Sequence, residues 1–165
     1  MKLVEIQMLG VPLGNDSFVS GFVEKKLLGR LLDTVNRLME FEDTQAATYL
    51  LRVSFSIVRA VHFMRTTPLD QWQEQASKFD GMIRAAAEKI LGFPMIQLSP
   101  KLLTPRLGGL GLRKVVEHAD FAYHASWSEA RKVAKEEWTP PGNLPGEYLS
   151  QQDASFGFDE KMHTY

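Results

Sequence analysis

The side chains of this sequence that could do chemistry are mostly cationic. Arg52 and Arg59 stand seven residues apart, and Lys78, Arg84 and Lys89 follow within one periodic segment. Lys101, Arg106, Arg113 and Lys114 surround a glycine cluster, Gly108-Gly109-Leu110-Gly111, with Pro105 ahead of it. Ammonium and guanidinium groups grip phosphate oxygens without reading bases. Gly108, Gly109 and Gly111 could add backbone N–H donors to such a grip where the cluster runs into a helix. They could equally form a tight bend, with Pro105, in which positive φ or close backbone approach requires glycine. The residues alone leave both readings open.

The chain has 165 residues and a net charge of −1, so its cations matter by location and not by their sum. Residues 52–114 carry ten Lys/Arg against four Asp/Glu, whereas residues 1–51 carry five against seven and residues 115–165 four against nine. A basic middle third is either one binding face or a set of solvated helix surfaces.

Other chemistries find no footing. The absence of cysteine excludes disulfides and thiolate metal sites and argues for an intracellular chain. His62, His118, His124 and His163 are not at metal-ligand spacing with carboxylates, and no cofactor or metal is expected. The glycines match no dinucleotide fingerprint, because Lys114 stands where the third glycine would be, and no G-K-[ST] or G-x-S-x-G occurs. Glu42-Asp43 and Glu136-Glu137 read as solvated helix ends. No self-contained active site is visible. The start, MKLVEIQMLG, is a poor signal peptide, and Arg52 and Arg59 interrupt the most apolar window, which argues against a membrane span.

The elements that must position these residues follow from periodicity. Residues 2–9 alternate as a strand, stopped by Gly10, Pro12 and Gly14, and one strand must pair with something, supplied by this chain or by another. Asp16 or Ser17 caps a first helix running to about Phe41. A second helix is expected from Gln45 to Arg65, apolar on nearly every face and therefore central and most buried. Arg52, Ser56 and Arg59 form its polar stripe, and Pro68 ends it. A third helix from Leu69 to Leu91 carries the seam Trp72, Ala76, Phe79, Ile83, Ala86 and Ile90, closed by Gly92 and Pro94. The seam is expected to pack on Leu51, Phe55 and Val58. A fourth helix spans Arg113 to Trp138. The fold class is all-α: a bundle of four main helices with one short N-terminal β-strand. Residues 1–138 make the helical domain and 139–165 an extended or disordered tail.

Four segments taken together resemble a family. LGVPLG (9–14), LLRVSFSIVRAVHFMRTTP (50–68), FDGMIRAAAEKILG (79–92) and LTPRLGGLGLRKVVEHADFAYHASW (103–127) are similar, in order and spacing, to the C-terminal part of non-LTR retrotransposon reverse transcriptases. The most specific string is Pro105-Arg106-Leu107-Gly108-Gly109-Leu110-Gly111-Leu112. It has two residues between the proline and the first glycine, where the family's P-x-x-x-G-G-L-G has three. The resemblance covers about residues 3–130 and implies a helical, thumb-like region that grips nucleic acid backbone. The family's polymerase chemistry needs a palm with a Tyr/Phe-x-Asp-Asp box, because two-metal catalysis needs clustered carboxylates; this chain contains no such box. The implied function is a non-catalytic fragment, part of an RNA-directed DNA polymerase only within a longer protein. Candidate backbone contacts are Arg52, Arg59, Lys78, Arg84, Lys89, Arg106, Arg113 and Lys114. The alternative is a structural or interaction module whose strand pairs with, or whose tail docks on, a protein partner.

Overall fold

The computed structural model describes residues 5–95 and 109–133. The tail at 139–165, together with Lys101, Pro105, Arg106 and Gly108, lies outside the described residues. Two short strands open the described chain, β1 (Ile6–Met8) and β2 (Val11–Leu13). They pair antiparallel with Gln7 opposite Pro12. The expected single strand is therefore corrected: its partner is the next segment of the same chain. Leu9 and Gly10 make the two-residue turn with φ of 49° and 84°. Two positive φ angles match the right-handed twist of a tight hairpin. Pro12 has no N–H to donate, which a two-stranded edge tolerates.

The first helical rod starts one residue before the expected cap. The Asn15 side chain accepts from the Phe18 N–H at 2.7 Å and donates to Glu5 Oε1 at 2.8 Å, so one residue both caps the helix and ties it to the hairpin. The rod comprises α1 (Asp16–Val23), a wider π-helical turn at Glu24–Leu28, and α2 (Gly29–Met39). Val19, Val23, Leu27, Leu31, Val35 and Leu38 turn inward along it.

The second expected helix is broken. Asp43 caps α3 (Thr44–Leu50) by accepting from the N–H groups of Gln45 and Ala46. A second π-helical turn follows at Leu51–Phe55, then a 3₁₀ turn at Ile57–Arg59 and α4 (Val61–Thr66). The break falls at Ser56, where ψ reaches −142° and the hydroxyl donates to the Arg52 carbonyl at 2.6 Å. A serine hydroxyl competes with the backbone for such carbonyls, and the β-branched residues around it gain little from helix. The break redirects the apolar faces, leaving Val53, Val58 and Val61 exposed. The expected single central helix is therefore two shorter pieces, and Val58 is not in the core.

The next helix is α5 (Gln73–Leu91), preceded by a 3₁₀ turn at Leu69–Gln71. Trp72, Ala76, Phe79, Ile83 and Ala86 of its seam are buried, with Ile90 half-buried at the end. Trp72 donates its indole N–H to the Thr67 carbonyl at 3.2 Å, which settles its one polar atom inside the core. Gly92 ends α5 with φ of 76°. The last described element, α6 (Val115–Val133), lies along α4 and α5. The described structure is a mainly-α fold with a two-stranded N-terminal sheet.

Candidate nucleic-acid interface

Three of the eight cations expected to meet phosphate, Lys78, Arg84 and Lys114, meet carboxylates instead. Lys78 is paired with Glu74 at 3.0 Å and Glu24 at 3.3 Å, and hydrogen bonds to these two carboxylates raise its pKa. Arg84 is paired with Glu88 at 3.1 Å, and Lys114 with Glu117 at 2.7 Å. Arg113 and Lys89 are exposed. Arg52 lines a shallow groove with Tyr49, Leu91 and Leu110. Arg106 lies outside the described residues. Of the described candidates, Arg52 and Arg59 line two different grooves.

The glycine cluster leads to an unforeseen capping contact. Gly111 takes φ of 71°, a left-handed conformation that L side chains avoid, and Leu112 is buried directly after it. The backbone then enters α6, whose first N–H groups would be the natural phosphate donors. They are already engaged: the Asp80 carboxylate, reaching over from α5, accepts from Val115 N–H at 2.7 Å and Val116 N–H at 3.1 Å. A phosphate there would meet a resident anion, so at Gly111 the geometry favours the bend. Gly109 is half-buried beside it.

Arg59 has a different setting. It lines a groove of about 310 Å³ together with Lys26 and Arg30, and no carboxylate is among the described lining residues. The described ion pairs leave all three cations without an acidic partner. The hairpin contributes Gln7 and Gly10, the first rod Phe22, Leu27, Leu31 and Thr34, and the broken segment Phe55 and Phe63. Both π-helical turns take part: Lys26 and Leu27 come from one and Phe55 from the other. Such turns shift side chains out of normal helical register and are frequent at functional sites.

The cations are layered on aromatics. The Arg59 guanidinium lies 5.2 Å from the Phe55 ring centroid and donates its Nε–H to the Ser54 carbonyl at 2.9 Å. The Lys26 ammonium lies 5.9 Å from the Phe22 centroid. Phe22 in turn meets Phe63 edge-on at 6.4 Å. Two of the three cations, Lys26 and Arg59, thus keep their charge available beside a ring.

Sequence reasoning missed Lys26 and Arg30 because they sit in a segment whose acidic residues outnumber its basic ones. The available signal was the run Phe22, Lys26, Arg30, Thr34, three steps of four along one helix face. Among the described residues no group of three His, Asp or Glu is placed to hold a metal ion, and no helix is long and apolar enough to cross a membrane. The chain matches no protein family, no curated protein and no solved structure.

Proposed function

We propose that this chain is a helical, thumb-like module of reverse-transcriptase ancestry that binds nucleic acid backbone without sequence preference and has no polymerase activity of its own. Within a longer protein it would serve an RNA-directed DNA polymerase. The ancestry rests on the sequence motifs. The binding rests on one observation: a groove whose described lining residues include Lys26, Arg30 and Arg59 and no carboxylate. Such a groove attracts phosphates, and each phosphate neutralised releases counterion, which makes affinity fall steeply with salt.

The test is the salt dependence of binding to unrelated nucleic acid sequences. Combined replacement of Lys26, Arg30 and Arg59 by Ala should flatten the slope by about one unit for each phosphate no longer neutralised, while leaving the relative affinities of different sequences unchanged. Replacing Arg84 and Lys114, which are already ion-paired, should change the slope little. Undetectable binding at low salt would refute the proposal. It would favour the second reading, a structural module that docks in a larger assembly. That reading is supported by the hairpin, where Ile6, Met8, Leu9 and Leu13 are all exposed.

A further inference from the structure

The groove holds more than a phosphate contact requires. A duplex presents phosphates and sugars on its outside, so a ridge of lysines would be sufficient to hold it. Here the cations sit among Phe22, Phe55, Phe63, Leu27 and Leu31. Aromatic and apolar lining becomes useful when a ligand brings bases with open faces, as a single strand does. The volume, about 310 Å³, is at the small end of ligand clefts, which run from about 300 to 1,000 Å³. One nucleotide unit enters a cleft of that size, whereas a duplex rests on its rim.

Arg59 is the decisive side chain. Its guanidinium is held twice, by the Phe55 ring beneath it and by its Nε–H bond to Ser54. One of its five donors is used, and the four on the terminal nitrogens are not engaged by that bond. A planar guanidinium anchored on a ring is a stacking platform for an unpaired base, and it carries charge for the adjoining phosphate. Lys26 and Arg30, one helical turn apart on the facing rod, supply charge for the neighbouring phosphates.

Resting on the backbone-binding reading above, we infer that the groove takes single-stranded nucleic acid in preference to duplex, one base stacked on the Arg59–Phe55 layer and adjacent phosphates on Lys26 and Arg30. Every base has a π-face, so this preference is for strandedness and not for sequence.

The experiment is fluorescence anisotropy of the full chain at fixed salt with oligo(dT), oligo(U) and the oligo(dT)·oligo(dA) duplex of equal length. Wild type should bind both single strands more tightly than the duplex. Arg59→Lys keeps the charge but loses the plane and the Nε anchor. It should weaken single-strand binding by about 5- to 150-fold, the equivalent of one base stack, with the salt slope unchanged. Because Arg59 is exposed, the variant should fold, which circular dichroism checks. Phe55→Leu, which keeps an apolar side chain and removes the ring, should weaken single-strand binding in the same direction. Duplex binding equal to or tighter than single-strand binding, still abolished in the Lys26/Arg30/Arg59 triple variant, would overturn this inference and leave the backbone reading standing. An Arg59→Lys variant that binds single strands like wild type would also overturn it. No binding of any probe would overturn both.

Discussion

Asp80 offers the most direct test of how the last helix is held. Its carboxylate accepts from the first two N–H groups of α6, at 2.7 and 3.1 Å, across a sequence separation of 35 and 36 residues. Replacement by Ala leaves both donors without this acceptor. A cap bond at a helix start contributes about 0.5–2 kcal/mol, and two bonds made by one half-buried carboxylate place Asp80→Ala at about 2–3 kcal/mol. For a chain of this size that corresponds to a fall in Tm of roughly 5–10 °C. Asp80→Asn keeps one acceptor oxygen and should cost less than Asp80→Ala. Hydrogen exchange gives the local readout: the Val115 and Val116 amides should lose protection in Asp80→Ala before the amides of α5 do. The pH dependence follows from the carboxyl itself. Burial raises its pKa above the ordinary 3.8, against the lowering effect of the two N–H donors. A raised carboxyl pKa means that the folded state holds the proton more tightly than the unfolded chain does. The stabilising contribution is therefore complete below about 3.8 and is lost as pH rises through the folded-state value. The stability gap between wild type and Asp80→Asn should be wider in acid than at neutral pH. A Tm change under roughly 2 °C for Asp80→Ala, with Val115 and Val116 protection unchanged, would refute the reasoning.

Two further outcomes are expected from chemical denaturation. Phe79 is fully buried in the α5 seam, so Phe79→Ala should cost about 3–5 kcal/mol, and a loss well under 1 kcal/mol would show that the seam can collapse around the void. Leu9 holds φ of 49° at the hairpin tip with 91% of its surface exposed, so it bears the left-handed strain of about 1–2 kcal/mol with almost no burial to offset it. Leu9→Asn should stabilise the chain by about 1 kcal/mol; a destabilisation would mean that the leucine is covered in solution by something it packs against.

The elements that were legible are those whose side chains carry their own period. The α5 seam steps by four and three through Trp72, Ala76, Phe79, Ile83 and Ala86, and no local competitor disturbs it. The segment after Asp43 reads as equally apolar, but the hydroxyl of one serine, Ser56, takes the Arg52 carbonyl and ends the helical register. Apolarity on every face indicated a central helix, whereas the structure uses it to serve two pieces that face different ways. The hairpin was hidden for a related reason. Gly10 and Pro12 are stop signals along one strand, yet Gly10 supplies the turn and Pro12 sits within the returning strand.

The site shows what charge counting can and cannot do. Counting located Arg59, but it could not tell an available cation from an engaged one. Lys78 finds Glu24 at a separation of 54 residues, so the basic middle third is partly neutralised by the acidic segment before it. The same exchange exposes the converse. Lys26 and Arg30 belong to that acidic segment, yet in three dimensions its nearby carboxylate, Glu24, faces Lys78 and the two cations face the groove. The π-helical turn that begins at Glu24 is where these side chains diverge. Two residues apart on one helical rod, the two side chains leave on opposite sides, Glu24 toward Lys78 of α5 and Lys26 toward the groove, a separation of charges that no sum over sequence windows contains.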